Sequence, residues 1–135
     1  PTLRGGVVMN LEKVIFGFFI VLAATLNFGF FIGDIDRPEL HHVYELAAAL
    51  VVSLIATALK FGDRTQIGAI HLSTSLVADL QLIAAAITWA LAVHVTGEGM
   101  TASVTSSVVS LSGGALFANI VSVIILIVET VMLRR

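Results

Sequence analysis

Four apolar runs, each about as long as a bilayer is thick, follow one another in this chain with only short polar gaps between them. A spanning helix needs about 20 predominantly apolar residues, and the runs near 11–32, 43–60, 67–96 and 104–133 reach or approach that length. Inside a bilayer every backbone N–H and C=O must be paired within the protein, so such runs are read as helices rather than open strands. The expectation is an all-α membrane protein of four transmembrane helices. Composition agrees: 58% of the 135 residues are hydrophobic and 12% charged, against roughly 25% charged in a soluble domain. No connecting gap is long enough for a separate soluble module, so any site belongs to the bundle or its turns.

The gaps carry helix punctuation. In the first, Asp36-Arg37-Pro38-Glu39 offers an N-cap, a first-turn proline and an acid at the third position, which predicts that helix two begins near Arg37. In the second, Gly62 suits a left-handed C-terminal cap, and Asp63-Arg64-Thr65-Gln66 reads as a capping box opening helix three. Gly97-Glu98-Gly99 ends helix three, and Thr101 or Ser103 caps helix four. Turns this short make successive helices antiparallel neighbours. Residues 1–8 precede Met9 and read as an expression remnant outside the fold.

Basic residues set the expected orientation. Lys13, Lys60, Arg64, Arg134 and Arg135, with Arg4, fall on one side and only Arg37 on the other, which places both termini in the cytoplasm. The outer side is acidic, with Asp34, Asp36, Glu39, Glu45 and Glu98. A bias this one-sided argues against copies that insert both ways up.

Within the spans the costly residue is Asp79, about midway along the third run. A carboxylate at that depth costs roughly 2.5–3.5 kcal/mol on insertion scales, so it faces a partner, a bundle interior or water. His71, Ser75 and Asp79 recur every fourth residue and form one stripe, flanked by Thr74. One reading is a hydrated path or ion site, with Asp79 supplying charge and Ser75 a hydroxyl ligand. The other is a neutral carboxyl that hydrogen-bonds a neighbouring helix. Gln81, a further candidate for the ion pathway, lies about 200° round the helix from Asp79, so one of the two meets a different helix or subunit. Ala84, Ala85, Ala86, Ala90 and Ala92 permit close packing in a tight or oligomeric bundle.

The fourth run opens with a Ser/Thr-rich stretch, 101–112, followed by Gly113-Gly114. Ser107, Ser110, Gly113, Gly114 and Asn119 are candidates for a second polar lining, either along a pore or in a broken re-entrant segment that exposes carbonyls to an ion. The plain alternative is a small-residue packing face. Asn119 and Ser122 share a helix face, and Asn27 in the first run is suited to pairing with another helix. At the outer mouth Asp34 and Glu45 are candidates to concentrate cations, and His41, His42 and Glu45 are weak candidates for a divalent metal. A solvated helix end that happens to carry two histidines explains them more simply.

Several function classes fall away. The net charge of −2 and the lack of a Lys/Arg run beyond the last two residues argue against a nucleic-acid partner, and zero cysteines exclude thiolate metal sites and thiol nucleophiles. No phosphate-binding glycine loop, zinc-protease motif or nucleophile elbow is present, so no cofactor and no enzymatic activity are expected.

The runs His41-His42-Val43-Tyr44-Glu45-Leu46, Lys60-Phe61-Gly62-Asp63-Arg64-Thr65-Gln66-Ile67-Gly68 and Ser75-Leu76-Val77-Ala78-Asp79-Leu80-Gln81-Leu82 resemble a functionally unassigned family of small bacterial inner-membrane proteins. The resemblance implies four spans and a bacterial inner membrane, and carries over no functional residue. Together the residues point to a homo-oligomeric cation channel with an Asp79 ring on its axis, its partners being lipid, inorganic cations or protons, and further copies of the chain. Two alternatives stand beside it: a proton- or ion-coupled carrier of a small solute, and a non-transporting accessory membrane subunit.

Overall fold

The structure, a computed structural model, describes residues 11–34 and 37–133. Residues 1–8, Asp36 and the terminal arginine pair, each given a role above, lie outside the described residues. Helix α1 spans Leu11–Phe31, α2 Val43–Lys60, α3 Gln66–Ala90 and α4 Ala102–Leu133; a 3₁₀ turn, Pro38–Leu40, precedes α2, and a π turn, Leu91–Val95, extends α3. All four helices are long and apolar enough to cross a membrane. Helix α1 packs on α2 and α4, and α3 packs on the same two, which closes an antiparallel four-helix bundle. One end, here the terminal end, carries the start of α1, the α2–α3 turn and the end of α4. The far end carries the other two connections.

Two of the expected caps move. Helix α2 starts at Val43 rather than near Arg37, because His41 (φ −129°, ψ 103°) and His42 (φ −83°, ψ 121°) are extended. The His41 ring explains the extension: Nδ1 lies 2.5 Å from the Phe30 carbonyl and Nε2 2.7 Å from that of Asp34, which draws the chain back across the end of α1. At the second turn Gly62 is not among the glycines with positive φ. Thr65, not Asp63, is the N-cap of α3, accepting from the Gly68 N–H at 2.9 Å. Asp63 instead accepts from the backbone N–H and hydroxyl of Thr65 and faces Lys60 at 3.3 Å. Those bonds hold its carboxyl at about 2, below the ordinary 3.8. The third turn follows expectation. Gly97 and Gly99 both adopt φ +76°, and Thr101 caps α4 by accepting from the Val104 N–H.

The outside of the bundle is apolar, as a lipid-facing surface requires: Phe18, Leu80, Phe117 and Ile127 are all more than half exposed. Inside, apolar packing falls into two clusters. Toward the terminal end Phe16, Ile20 and Ala56 pack with Leu59, Val123 and Leu126. The larger one, toward the far end, joins Phe30, Leu46, Ala78, Leu82 and Val108 with five alanines and valines. Between and beside them is a belt of buried polar side chains, among them Ser53, His71, Ser75, Asp79, Asn119 and Ser122. At the terminal end Lys13 of α1 and Glu129 of α4 form an ion pair.

Candidate functional site

Asp79 lies inside the bundle with 5% of its surface exposed. Helix α2 presents two hydroxyls to it, one turn apart. Ser53 Oγ donates to Oδ1 at 2.7 Å, and Thr57 Oγ1 lies 2.5 Å from Oδ2. The spacing of Ser53 and Thr57, four residues on one helix, puts both on the face turned to α3. Thr57 Oγ1 also lies 3.0 Å from the Ser53 carbonyl, the back-bond that buried threonines make to the preceding turn. The neighbouring-helix reading of Asp79 thus describes its contacts, while its position in a polar belt keeps the ion-site reading open.

The rest of the stripe runs from Asp79 toward the terminal end. Ser75 and His71 are fully buried. His71 Nδ1 lies 3.0 Å from Ser122 Oγ of α4, and Thr74 shares that hydroxyl at 2.6 Å. His71 Nε2 and Ser75 Oγ have no hydrogen-bond partner within the protein. Phe16 packs edge-on against the His71 ring at 4.9 Å, and the Lys60 ammonium sits 4.5 Å above the Phe16 ring. Lys60 is only 4% exposed, so the ring and Asp63 together shelter a cation at the mouth of the stripe. Gln81, as its angular offset predicts, turns away from Asp79 to α4, where its amide fills the space a side chain on Gly114 would occupy.

Helix α4 runs unbroken through Gly113 and Gly114, which overturns the re-entrant reading. The glycines are packing positions: Gly113 faces the Phe31 ring and Gly114 faces Gln81. Ser107 and Ser110 are on the exposed side, and the polar residues that α4 turns inward are Thr105, Ser112, Asn119 and Ser122. Ser112 Oγ lies 3.3 Å from Asn27 Oδ1, which joins α4 to α1 as expected of Asn27. Asn119 has no partner for either side-chain polar atom.

At the far end His41 turns both ring nitrogens to backbone carbonyls and is taken up as a structural pin. His42 and Asp34 are exposed, and the Glu45 carboxylate packs where a side chain on Gly29 would stand. Among the described residues no group of three His, Cys, Asp or Glu side chains is placed to hold a metal ion. Ser53, Thr57 and Lys60 are the site residues that sequence reasoning missed. Their only signal was two hydroxyls four residues apart, ending one turn before a lysine, in an otherwise apolar run.

No curated protein and no solved structure matches the chain. A family model, described as a family of unknown function (DUF6394), matches residues 40–130, a stretch that contains the whole Ser53–Thr57–Asp79 cluster and the His71 stripe. The chain belongs to that family, DUF6394.

Proposed function

We propose that the protein is an ion-coupled membrane carrier in which Asp79 is the coupling site. The observation that carries this reading is the mid-span carboxyl enclosed within one subunit and held by the two hydroxyls of α2. Intramembrane carboxyls are costly and mark ion and proton pathways. A channel with a carboxylate ring on a symmetry axis needs Asp79 on the outside of the bundle, and its burial therefore favours the carrier over that channel. The two apolar clusters on either side of the polar belt serve as barriers, so the site reaches one side of the membrane only when one cluster loosens. On the orientation given by the basic residues, the His71 stripe leads to the cytoplasm of a bacterial cell.

The test is flux in liposomes. Purified protein is reconstituted with a pH-sensitive dye inside, and an imposed proton gradient is followed with sodium, potassium or no permeant cation outside. Wild-type protein dissipates the gradient or drives cation movement against it, and Asp79→Asn does not. Equal flux from the two proteins removes Asp79 from the mechanism. Discrete single-channel currents in a planar bilayer support the channel instead.

A further inference from the structure

We infer that the ion held at Asp79 is a proton, and that water held between Ser75, His71 and Asn119 passes it toward the terminal end. The inference names the ion of the proposed coupling site and rests on that reading.

The first argument is a count of hydrogens. Three short contacts link the cluster: Ser53 Oγ to Asp79 Oδ1, Thr57 Oγ1 to Asp79 Oδ2, and Thr57 Oγ1 to the Ser53 carbonyl oxygen. Each needs one hydrogen, and the two hydroxyls supply only two. A carboxylate oxygen and a carbonyl oxygen only accept, so Thr57 can serve both only by sharing its one hydrogen. A proton on Oδ2 completes the set. Asp79 then donates to Thr57, Thr57 donates to the Ser53 carbonyl, and Ser53 donates to Oδ1.

The second argument is the level of the unpartnered atoms. Ser122 of α4 faces His71 and Thr74 of α3, and Gly114 faces Gln81. Asn119, between those two points on α4, is therefore level with the turn of α3 that carries Ser75 and Asp79. His71 Nε2, Ser75 Oγ, and both Asn119 side-chain polar atoms are buried without a partner in the protein. A buried water satisfies about three such groups, and these four lie along the roughly 12 Å of helix rise that separates His71 from Asp79. No other charged group makes an ion pair with the carboxyl among the described residues. From α2 the nearest are Lys60, one turn beyond Thr57 toward the terminal end and paired with Asp63, and Glu45, two turns from Ser53 toward the far end. On α3 the nearest titratable group is His71; α1 and α4 contribute only Glu12, Lys13 and Glu129, all at the terminal end.

Infrared spectroscopy of the reconstituted protein tests this. Wild type should show the carbonyl stretch of a protonated carboxyl at neutral pH, unchanged by sodium or potassium, lost in Asp79→Asn and retained in Asp79→Glu. Transfer to deuterated buffer should shift the band, and the shift should slow several-fold in Ser75→Ala/Asn119→Leu. Absence of the band in wild type, or its loss on adding a cation, overturns the proton assignment. Exchange at the wild-type rate in the double variant overturns the water route. A band without flux defeats the transport reading alone, and sodium-driven flux without a band defeats the proton alone.

Discussion

Replacing Thr57 by Val removes one of the two hydroxyls that satisfy Asp79 and adds no polar group in its place. In a soluble core, stranding a carboxyl oxygen in this way costs about 1–3 kcal/mol. In a bilayer the unfolded helices also find partners for their polar groups, and measured interhelical hydrogen bonds average about 0.6 kcal/mol with a maximum near 1.7. The membrane scale governs here, and its range places the Thr57 contact at about 1 kcal/mol. Asp79→Leu removes the carboxyl altogether; Thr57 keeps the Ser53 carbonyl as acceptor, and the cost of this single change falls on the Ser53 hydroxyl. In the double variant Thr57→Val has nothing left to strand, and its cost should vanish. The cycle of wild type, two single variants and the double variant, unfolded with SDS in mixed micelles and followed by circular dichroism, therefore yields a coupling of about 1 kcal/mol. Ser73→Ala, on the exposed side of α3, serves as the control and should change nothing. If Thr57→Val costs as much beside Leu as beside Asp79, the contact contributes no energy and the site is wrongly drawn.

Two further outcomes follow from the turns and the packing. The Asp63 carboxyl is held at about 2, below 3.8, so its contribution is fully present above 3.8 and is lost as pH falls through about 2. The shift corresponds to roughly 2 kcal/mol, reduced to about 1 kcal/mol for a turn next to solvent, and unfolding midpoints measured from pH 5 to pH 2 should fall in wild type and stay flatter in Asp63→Ala. Gly114→Ala drives a methyl group into the Gln81 amide, the far end of a flexible side chain that can swing aside, and with the helix gain from Gly to Ala the net cost should stay below about 1 kcal/mol. Adding Gln81→Ala should recover most of that loss in the same micelle unfolding assay, and no recovery would mean that another neighbour limits the space.

The number of helices was legible because a bilayer permits so few backbone solutions that length and apolarity nearly decide the matter. The stripe through His71, Ser75 and Asp79 was legible for a related reason: residues four apart share a helix face whatever the helix packs against. What the stripe would meet was not legible. Ser53 and Thr57 carry no charge, and hydroxyls are common enough in spanning helices that nothing marks these two until α2 is placed beside α3. The same limit explains Ser107 and Ser110, which share the Ser/Thr-rich stretch with Thr105 and Ser112 but point the other way. Composition names a stretch, and only the helix rotation divides it into two faces. His41 misled in a different manner. Its proximity to His42 and Glu45 suggested a ligand set, whereas its ring bonds to carbonyls far back along the chain fix both the end of α1 and the late start of α2.

The two apolar clusters that flank the polar belt are built from different materials, and that gives them different ways to yield. The terminal-end cluster rests on a few large side chains, Phe16 and Ile20 foremost, with Phe16 also touching His71 and lying under Lys60. A rotamer change at one ring can breach it while the helices stay in place. Alanines 49, 78, 85, 115 and 118 make up half of the far-end cluster, and an alanine has no rotamer to change. That seal opens only if whole helices separate, which places it among the microsecond-to-millisecond motions. One face of the membrane would then exchange with Asp79 continually and the other only in occasional large events, so the slower face sets the pace of any crossing.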